Sequence, residues 1–239
     1  MPKLSITYPM IDKIRRWFSY LFDIQIDYRH SEINGDLIVF LSKGRYQLCS
    51  ANAIYSYEDK YANFSNVFKD HIDLKKWEGS EVLLLGLGLG SIPVTLDQIE
   101  QKRWSFVAVE IDPAVCELAS LYGFPKIQSP IQTVVGDAVT FVSNHEDKYD
   151  MICIDLFIDD IMPSHSRSID FLHDVRQLLT DQGIVIANTL AFTEDHQEQS
   201  QSFFEEVFKE VFPKGQIIKT HVNYMLINDP IYFTAGRES

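Results

Sequence analysis

Three glycines at alternate positions, Gly86, Gly88 and Gly90, directly follow the apolar run 82–85. A short apolar run bounded by glycine is typical of a buried strand, and glycine lets the backbone take positive φ and approach a ligand closely. Pro93 fits the first turn of a helix that begins just after this loop. The stretch therefore predicts a strand, a glycine turn and a helix whose free N–H groups can hold a nucleotide-like ligand. The alternative is a tight turn of the same shape that binds nothing.

Acidic residues end the predicted strands that follow the glycine loop. Glu110 lies 20 residues after Gly90, which is the spacing of a ribose-binding acid in nucleotide-binding units. Asp137 and Asp155 follow two further strands, and the carboxyl ends of parallel strands meet at one edge of a sheet. We expect Glu110 to accept hydrogen bonds from two ribose hydroxyls and Asp137 to accept one from an adenine amine. Asp155 would lie beside an amine or cation.

Two more acids, Asp159 and Asp160, follow closely after Asp155. We interpret them as solvated loop residues. An acidic pair can also bind a metal, but His165 is the only histidine nearby in the sequence, so we predict no metal site.

Strand and helix patterns alternate from residue 81 onward, which predicts an α/β fold with a mostly parallel sheet and helices on both faces. The predicted strands are 82–86, 105–110, 132–135, 150–155 and 184–188, and the predicted helices are 92–101, 113–121, 138–144, 167–179 and 195–211. The last two strand-like runs, QIIKTH and NYMLINDPIYFTA, have no helix between them, so they should form an antiparallel hairpin at one edge of the sheet.

The residues before this region have a different pattern. Apolar residues at helical spacing predict an amphipathic helix over 10–22, and β-rich runs over 25–56 predict an antiparallel unit. Its hairpin turns are expected at Asn34-Gly35 and Lys43-Gly44. A further helix is expected over 57–70. We therefore divide the chain into an N-terminal helix and small β unit, residues 1–78, and a nucleoside-binding catalytic domain, residues 79–239.

The composition of the 239 residues limits the function classes. A net charge of −13 with no basic stripe argues against nucleic acid as the main partner. No apolar run approaches the length of a membrane helix, and the first residues lack the apolar core of a signal peptide. The three cysteines form no CxxC pair, which favours reduced thiols and a cytoplasmic location.

At these motifs the sequence resembles the class I S-adenosylmethionine-dependent transferases, and within them the spermidine-synthase-like group. The resemblance spans about residues 36 to 235 and rests on the segments VLLLGLGLGSIP, VAVEIDP, VVGDA and KYDMICIDLF. It implies a methyltransferase-like Rossmann fold, S-adenosylmethionine or its decarboxylated form as cofactor, and a small-molecule acceptor that can be an amine. It also implies a homodimer. It places catalysis at Asp155 and cofactor binding at Gly86, Gly88, Gly90, Glu110, Ile111, Asp137, Ala138 and Asp155.

The sequence departs from the aminopropyltransferase pattern in the glycine loop. Leu89 occupies the position where these enzymes usually carry an aspartate, which favours methyl transfer slightly. Aminopropyl transfer from decarboxylated S-adenosylmethionine stays the alternative. Two further alternatives are an NAD-dependent oxidoreductase, whose G-x-G-x-x-G spacing fails at 89–91, and a nucleoside-binding protein without catalysis.

Overall fold

The computed structural model describes residues 7–51, 53–74, 77–99, 102–158, 161–220 and 222–230. Its strands are β1 Ile24–Ser31, β2 Gly35–Ser42, β3 Arg45–Cys49, β4 Ile54–Ser56, β5 Glu81–Leu85, β6 Ser105–Glu110, β7 Ile131–Val135, β8 Tyr149–Ile154, β9 Leu179–Leu190, β10 Gln216–Lys219 and β11 Asn223–Ile227. Its α-helices are α1 Thr7–Phe18, α2 Ala62–Asn66, α3 Ser91–Leu96, α4 Pro113–Tyr122, α5 Ala138–Ser143, α6 Ile169–Gln177, α7 Glu194–Phe203 and α8 Lys209–Val211.

Seven strands form the large sheet in the order β10-β11-β9-β8-β5-β6-β7, and only β11 runs antiparallel to its neighbours. Successive residues of β5 face opposite sides of this sheet. Leu84 packs in a core with α2, α3 and α4, whereas Leu83 and Leu85 pack in a second core with α5, α6 and α7. The predicted α/β fold with helices on both faces is confirmed, because each face of the sheet buries its own helical layer.

The predicted C-terminal hairpin is confirmed for β10 and β11, which pair antiparallel. Its second strand lies inside the sheet, between β10 and β9, and the first strand forms the edge. This order places Asn223 at the start of β11 opposite Leu190 at the end of β9. The last part of the predicted run, residues 231–235, lies outside the described residues.

The first four strands form a separate antiparallel sheet in the order β1-β2-β3-β4, as the sequence predicts. Lys43 and Gly44 both have positive φ, which is the backbone of a tight hairpin turn. Leu37 and Leu48 of this sheet pack against Val115 of α4. The division at residue 78 stays a prediction, and the structure adds that Trp77, before this boundary, packs within the core of the large sheet.

Two predicted helices are interrupted or short. The helix expected over 57–70 breaks at Tyr61, whose extended ψ of 89° separates a 3-10 turn, Glu58–Lys60, from α2. The helix expected over 92–101 ends at Leu96, and the next residue, Asp97, accepts N–H groups from the loop before β7. Among the described residues, no helix combines the length and apolar character needed to cross a bilayer.

Candidate active site

The ends of β5, β6, β7 and β8 surround a cleft. Seven of the eight residues predicted to bind a cofactor line it, namely Gly86, Gly88, Glu110, Ile111, Asp137, Ala138 and Asp155. The eighth, Gly90, precedes the first residue of α3 with a φ of 85° and does not line the cleft. The structure therefore brings the strand-end acids together, as parallel strands require, and leaves their roles as predictions.

The first two glycines of the loop are needed by the packing around them. A Cβ atom on Gly86, whose φ is +95°, would lie 2.2 Å from the backbone oxygen of Asp155. A Cβ atom on Gly88 would lie 2.9 Å from the backbone oxygen of Tyr55 at β4. The loop thus packs between the end of β8 and the N-terminal sheet, and glycine is needed at both points of close approach.

Glu110 is held rigidly at the end of β6. Its Oε2 atom accepts the N–H of Leu87 at 3.0 Å, and its Oε1 atom accepts the N–H of Asp112 at 3.1 Å. Only 9% of the residue is exposed, and burial raises the pKa of its carboxyl group despite these hydrogen bonds. Each oxygen of an ionised carboxylate has a second lone pair, so Glu110 can also accept hydrogen bonds from a ligand in the cleft.

Asp137 caps the N-terminus of α5. Its Oδ1 atom accepts the backbone N–H and the hydroxyl of Thr140, and its Oδ2 atom lies 3.4 Å from Nε2 of His165. Burial acts to raise the pKa of this carboxyl group, but the Thr140 and His165 contacts outweigh it and the pKa is lowered. Asp137 is therefore ionised at neutral pH, with Oδ2 as the oxygen that is free of the helix cap.

Asp155 follows β8 and is bound by two side chains. Its Oδ2 atom accepts the hydroxyl of Tyr61 at 3.0 Å, and its Oδ1 atom accepts the amide of Asn188 at 2.8 Å. Asn188 in turn accepts the side-chain amide of Asn223 at 2.8 Å. Burial raises the pKa of Asp155 to about 6, although both hydrogen bonds act in the opposite direction. A carboxylate with a pKa near neutral is suited to accept a proton from a substrate.

A second pocket adjoins the first. Tyr55, Tyr61 and Phe157 line both pockets. Asp155 lines the first pocket and Asn188, which binds it, lines the second. The Tyr61–Asp155–Asn188 group thus lies where the two pockets meet, which is the arrangement needed to bring two small molecules together.

Sequence reasoning did not single out Tyr61, Asn188 or Asp112 as site residues. Asn188 is a polar residue in an otherwise apolar buried strand, which is an unusual combination that could have marked it. Asp112 directly precedes Pro113, the pattern of a capped helix start, and its carboxylate accepts hydrogen bonds from Ser31 and Asn34 of the N-terminal region. The role of Tyr61 depends on a contact with a residue 94 positions along the chain.

The described residues contain no cluster of three or more potential metal ligands. Asp159 and Asp160, which we interpreted as solvated loop acids, lie outside the described residues.

Residues 71–235 match the profile of the family described as "Spermine/spermidine synthase domain". The chain belongs to this family. The match covers more than half of the chain, including the glycine loop and all three strand-end acids. Family membership agrees with the resemblance inferred from the motifs.

The curated relatives of this chain include two kinds of transferase. A polyamine aminopropyltransferase of Vibrio vulnificus is 30% identical over 134 residues, which is 55% of this chain and 44% of that protein. An N-terminal histidine N-methyltransferase of Emericella nidulans is 28% identical over 147 residues, which is 59% of this chain and 25% of that protein. The chain thus spans about half or less of the length of these relatives.

Solved structures share the fold. Spermidine synthase from Thermotoga maritima superposes with a TM-score of 0.65 over 87% of this chain and 74% of that one, at 16% identity. Human methyltransferase-like protein 13, in complex with SAH, superposes with a TM-score of 0.54 over 66% of this chain and 75% of that one, at 26% identity. The Rossmann-like transferase fold predicted from the sequence is therefore confirmed.

Proposed function

We propose that the protein is a group transferase that takes an S-adenosyl donor in the first cleft and an amine acceptor in the second pocket. The observation that carries the proposal is Asp155, held by Tyr61 and Asn188 where the two pockets meet. The family and the curated polyamine aminopropyltransferases favour transfer of an aminopropyl group, and therefore decarboxylated S-adenosylmethionine as donor.

The residues of the first cleft fit an adenosyl group. Gly86 lets the loop pack against the backbone of Asp155, and Glu110 presents a fixed carboxylate for the ribose hydroxyls. Asp137 presents its Oδ2 atom, which lies beside His165, to an amine. Ile111 and Ala138 line the same cleft and would contact the adenine ring. A sulfonium donor bound in this cleft would supply an electrophilic carbon, with the neutral thioether as the leaving group that keeps the electron pair of the broken carbon–sulfur bond.

Asp155 then has two tasks toward the acceptor. Its carboxylate orients the amine by hydrogen bonding, and it accepts the proton that the nitrogen loses on forming the bond to carbon. Tyr61 and Asn188 each occupy one carboxylate oxygen, so the direction of the remaining lone pairs is fixed. With a pKa of about 6, the group is mostly ionised at pH 7 and ready to take this proton.

Methyl transfer from S-adenosylmethionine is the second candidate, and the glycine loop is the reason to keep it. Leu89 is 1% exposed and packs with Leu37 and Leu118 instead of lining the cleft. The loop therefore offers no carboxylate at this position to an aminopropyl tail. The relatives also include a methyltransferase.

The test is a ligand panel measured by thermal shift and calorimetry, with S-adenosylmethionine, its decarboxylated form, methylthioadenosine and NAD. At a concentration 100 times Kd, a ligand adds about 2.7 kcal/mol of stability, or about 5–10 °C in Tm for a chain of this size. We expect this response to the adenosyl-sulfur ligands and none to NAD, with decarboxylated S-adenosylmethionine binding tighter than S-adenosylmethionine. Binding of NAD without any response to methylthioadenosine would refute the proposal, and the reverse donor order would favour methyl transfer.

A further inference from the structure

Two side-chain amides connect Asp155 to the C-terminal hairpin. Nδ2 of Asn188 on β9 donates to Oδ1 of Asp155 at 2.8 Å, and Nδ2 of Asn223 on β11 donates to Oδ1 of Asn188 at 2.8 Å. In the register of β9 and β11, Asn188 lies opposite Met225, so Asn223 is its diagonal neighbour on the same face of the sheet. Asn188 and Asn223 are only 1% and 3% exposed. The two amides therefore form a buried polar chain that ends at Asp155.

The charge of Asp155 sets the orientation of both amides. An ionised carboxylate only accepts hydrogen bonds, so Asn188 must turn its NH2 group toward Asp155. The oxygen of Asn188 then faces Asn223, which must turn its own NH2 group toward that oxygen. If the Asn188 amide rotated by half a turn, its oxygen would face the carboxylate and its NH2 group would face that of Asn223. Asn223 therefore excludes the orientation of Asn188 that would repel the negative charge.

The polar chain is unusual for its position in the sheet. The neighbouring residues of the two strands, Ala187, Met225 and Leu226, are apolar and buried, and a buried amide is costly unless it is hydrogen bonded. What the chain contributes is seen at its end, where the Asn188 hydrogen bond acts against burial to lower the pKa of Asp155. Asn223 makes no contact with Asp155 in this chain, so its contribution passes through Asn188.

Other titratable groups also surround Asp155. The hydroxyl of Tyr61 donates to Oδ2, and Cys153 lies two positions earlier on β8. The remaining titratable side chains among the described residues that line the two pockets are Tyr55, Tyr57, Lys60, Glu110, Asp137, His165 and His196. All of these groups stay in place when an amide is replaced, so a comparison of variants isolates the effect of the amide chain.

We propose that Asn223 is a positioning residue, which acts through Asn188 to hold the Asp155 carboxylate ionised and in one orientation. The inference rests on the proposed function for the task of that carboxylate toward an amine. It assigns the amide of Asn188 to Asp155 and makes the start of β11 part of the machinery that prepares the general base.

The first test is a carbon NMR titration of the full chain, labelled at the Asp carboxyl carbons, in which the Asp155 signal is the one lost in Asp155→Asn. Asn188→Leu removes the direct donor and should raise the pKa of Asp155 from about 6 to at least about 7, since a hydrogen bond to a charged group changes acidity about tenfold or more. Asn223→Leu leaves that donor in place but frees its orientation, so the pKa should rise less, to about 6.5.

The combined variant tests whether Asn223 acts through Asn188. With both substitutions present, the pKa of Asp155 should equal that of Asn188→Leu alone, because the link between the two residues is already lost. Asn228→Leu is the matched control, since it removes an amide that bonds to Gly183 and Val185 at the other end of the same strand pair. It should lower stability and leave the pKa of Asp155 unchanged. An unchanged pKa in Asn223→Leu, or an equal rise when Asn188 has already been replaced, would overturn the inference.

The wild-type protein gives a second test that does not depend on the folding of any variant. The side-chain amide protons of Asn188 and Asn223 should both shift in a pH titration with the midpoint of the Asp155 carboxyl signal, because the hydrogen bonds polarise one another along the chain. The amide of Asn228 should not follow that midpoint. Asn223 protons that are insensitive to the ionisation of Asp155 would also overturn the inference.

The outcomes separate this inference from the proposed function. If methylthioadenosine binds but the titration of Asp155 ignores Asn223, the inference fails and the donor site stands. If the amide chain controls Asp155 as expected but methylthioadenosine does not bind, the proposed function fails and the coupling of Asn223 to Asp155 stands.

Discussion

Asp155 is the residue on which the proposed chemistry depends. Asp155→Asn keeps a group that can bond to Tyr61 and Asn188 but cannot accept a proton. We expect donor affinity to stay within about twofold while turnover falls by about 10²- to 10⁴-fold, the scale of a lost general base. The measurements are calorimetry with methylthioadenosine and product formation with the donor identified by the ligand panel. Normal turnover in this variant would remove Asp155 from the mechanism.

The pKa of Asp155 gives a separate prediction about pH. Because burial raises this pKa from 3.8 to about 6, the folded state holds the proton more tightly than the unfolded chain does. Activity should therefore rise with pH through about 6, as the carboxylate ionises. The contribution of this group to the free energy of unfolding should fall by about 3 kcal/mol as pH rises from about 4 to 6, because the buried carboxyl group ionises.

The Asp155→Asn variant tests whether ionisation of Asp155 lowers the stability of the protein. The variant should be more stable than the wild type above pH 6, where the wild type carries the buried charge, and equal to it near pH 4. Urea unfolding at the two pH values measures the difference. A variant that is less stable at pH 7 would contradict the raised pKa.

Glu110 is expected to affect both binding and stability. A position at a strand tip suggests little effect on folding, but the structure buries this residue and ties it to the N–H groups of Leu87 and Asp112. Glu110→Ala should weaken methylthioadenosine binding by about 2–4 kcal/mol. It should also lower the free energy of unfolding by about 1–3 kcal/mol, because it leaves two buried N–H donors unpaired. Glu117→Ala, on the exposed surface of α4, is the control and should change neither.

At the scale of elements, the loop between β5 and α3 packs tightly against the end of β8. Gly86→Ala would place a methyl group 2.2 Å from the backbone oxygen of Asp155 in a backbone with φ of +95°. We expect the free energy of unfolding to fall by at least about 2 kcal/mol and Tm to fall by at least about 4–8 °C. Gly136→Ala is the matched control in the same cleft, because a Cβ there has no atom within 4 Å. Equal melting temperatures for both variants would show that the loop relaxes.

The sequence predicts the cleft better than the second pocket, and the reason lies in how each is built. Glu110, Asp137 and Asp155 are all placed by one rule, the convergence of parallel strand ends, and each follows its strand directly in the sequence. Tyr61 and Asn188 reach Asp155 from a broken helix and from the middle of a neighbouring strand, so their contact exists only after the chain packs. The break at Tyr61 itself could not be inferred from local helix patterns.

At the scale of the whole molecule, the N-terminal sheet and the large sheet share the site. Asp112 at the start of α4 accepts hydrogen bonds from Ser31 at 2.5 Å and Asn34 at 2.6 Å, and its own backbone N–H binds Glu110. Asn34 and Tyr55 also line the first cleft. The N-terminal unit is therefore part of the cleft wall and helps to fix the acid that is expected to bind the ribose.

The same N-terminal unit presents an apolar surface at the end of α1. Five large residues there are 40–68% exposed, namely Trp17, Phe18, Tyr20, Leu21 and Phe22. A contiguous group of this kind is unusual on the surface of a monomer and marks an interaction site. The family resemblance implies a homodimer, and we predict that this apolar surface is its interface. Sedimentation at micromolar concentration would detect the dimer as twice the chain mass.

A substitution at this surface tests where the dimer forms. Leu21 is 68% exposed, so Leu21→Asp should leave the fold intact and shift the sedimenting species to a monomer, because it places a charge in an apolar interface. Leu121→Asp makes the same change on a 54% exposed leucine of α4 and should keep the dimer. Asn34 and Tyr55 of the N-terminal unit line the cleft. We expect the Leu21→Asp monomer to bind methylthioadenosine with normal affinity, which would show that this unit keeps its position without a partner. If the wild-type protein sediments as a monomer, the homodimer prediction is wrong and the apolar surface would have to bind a different partner.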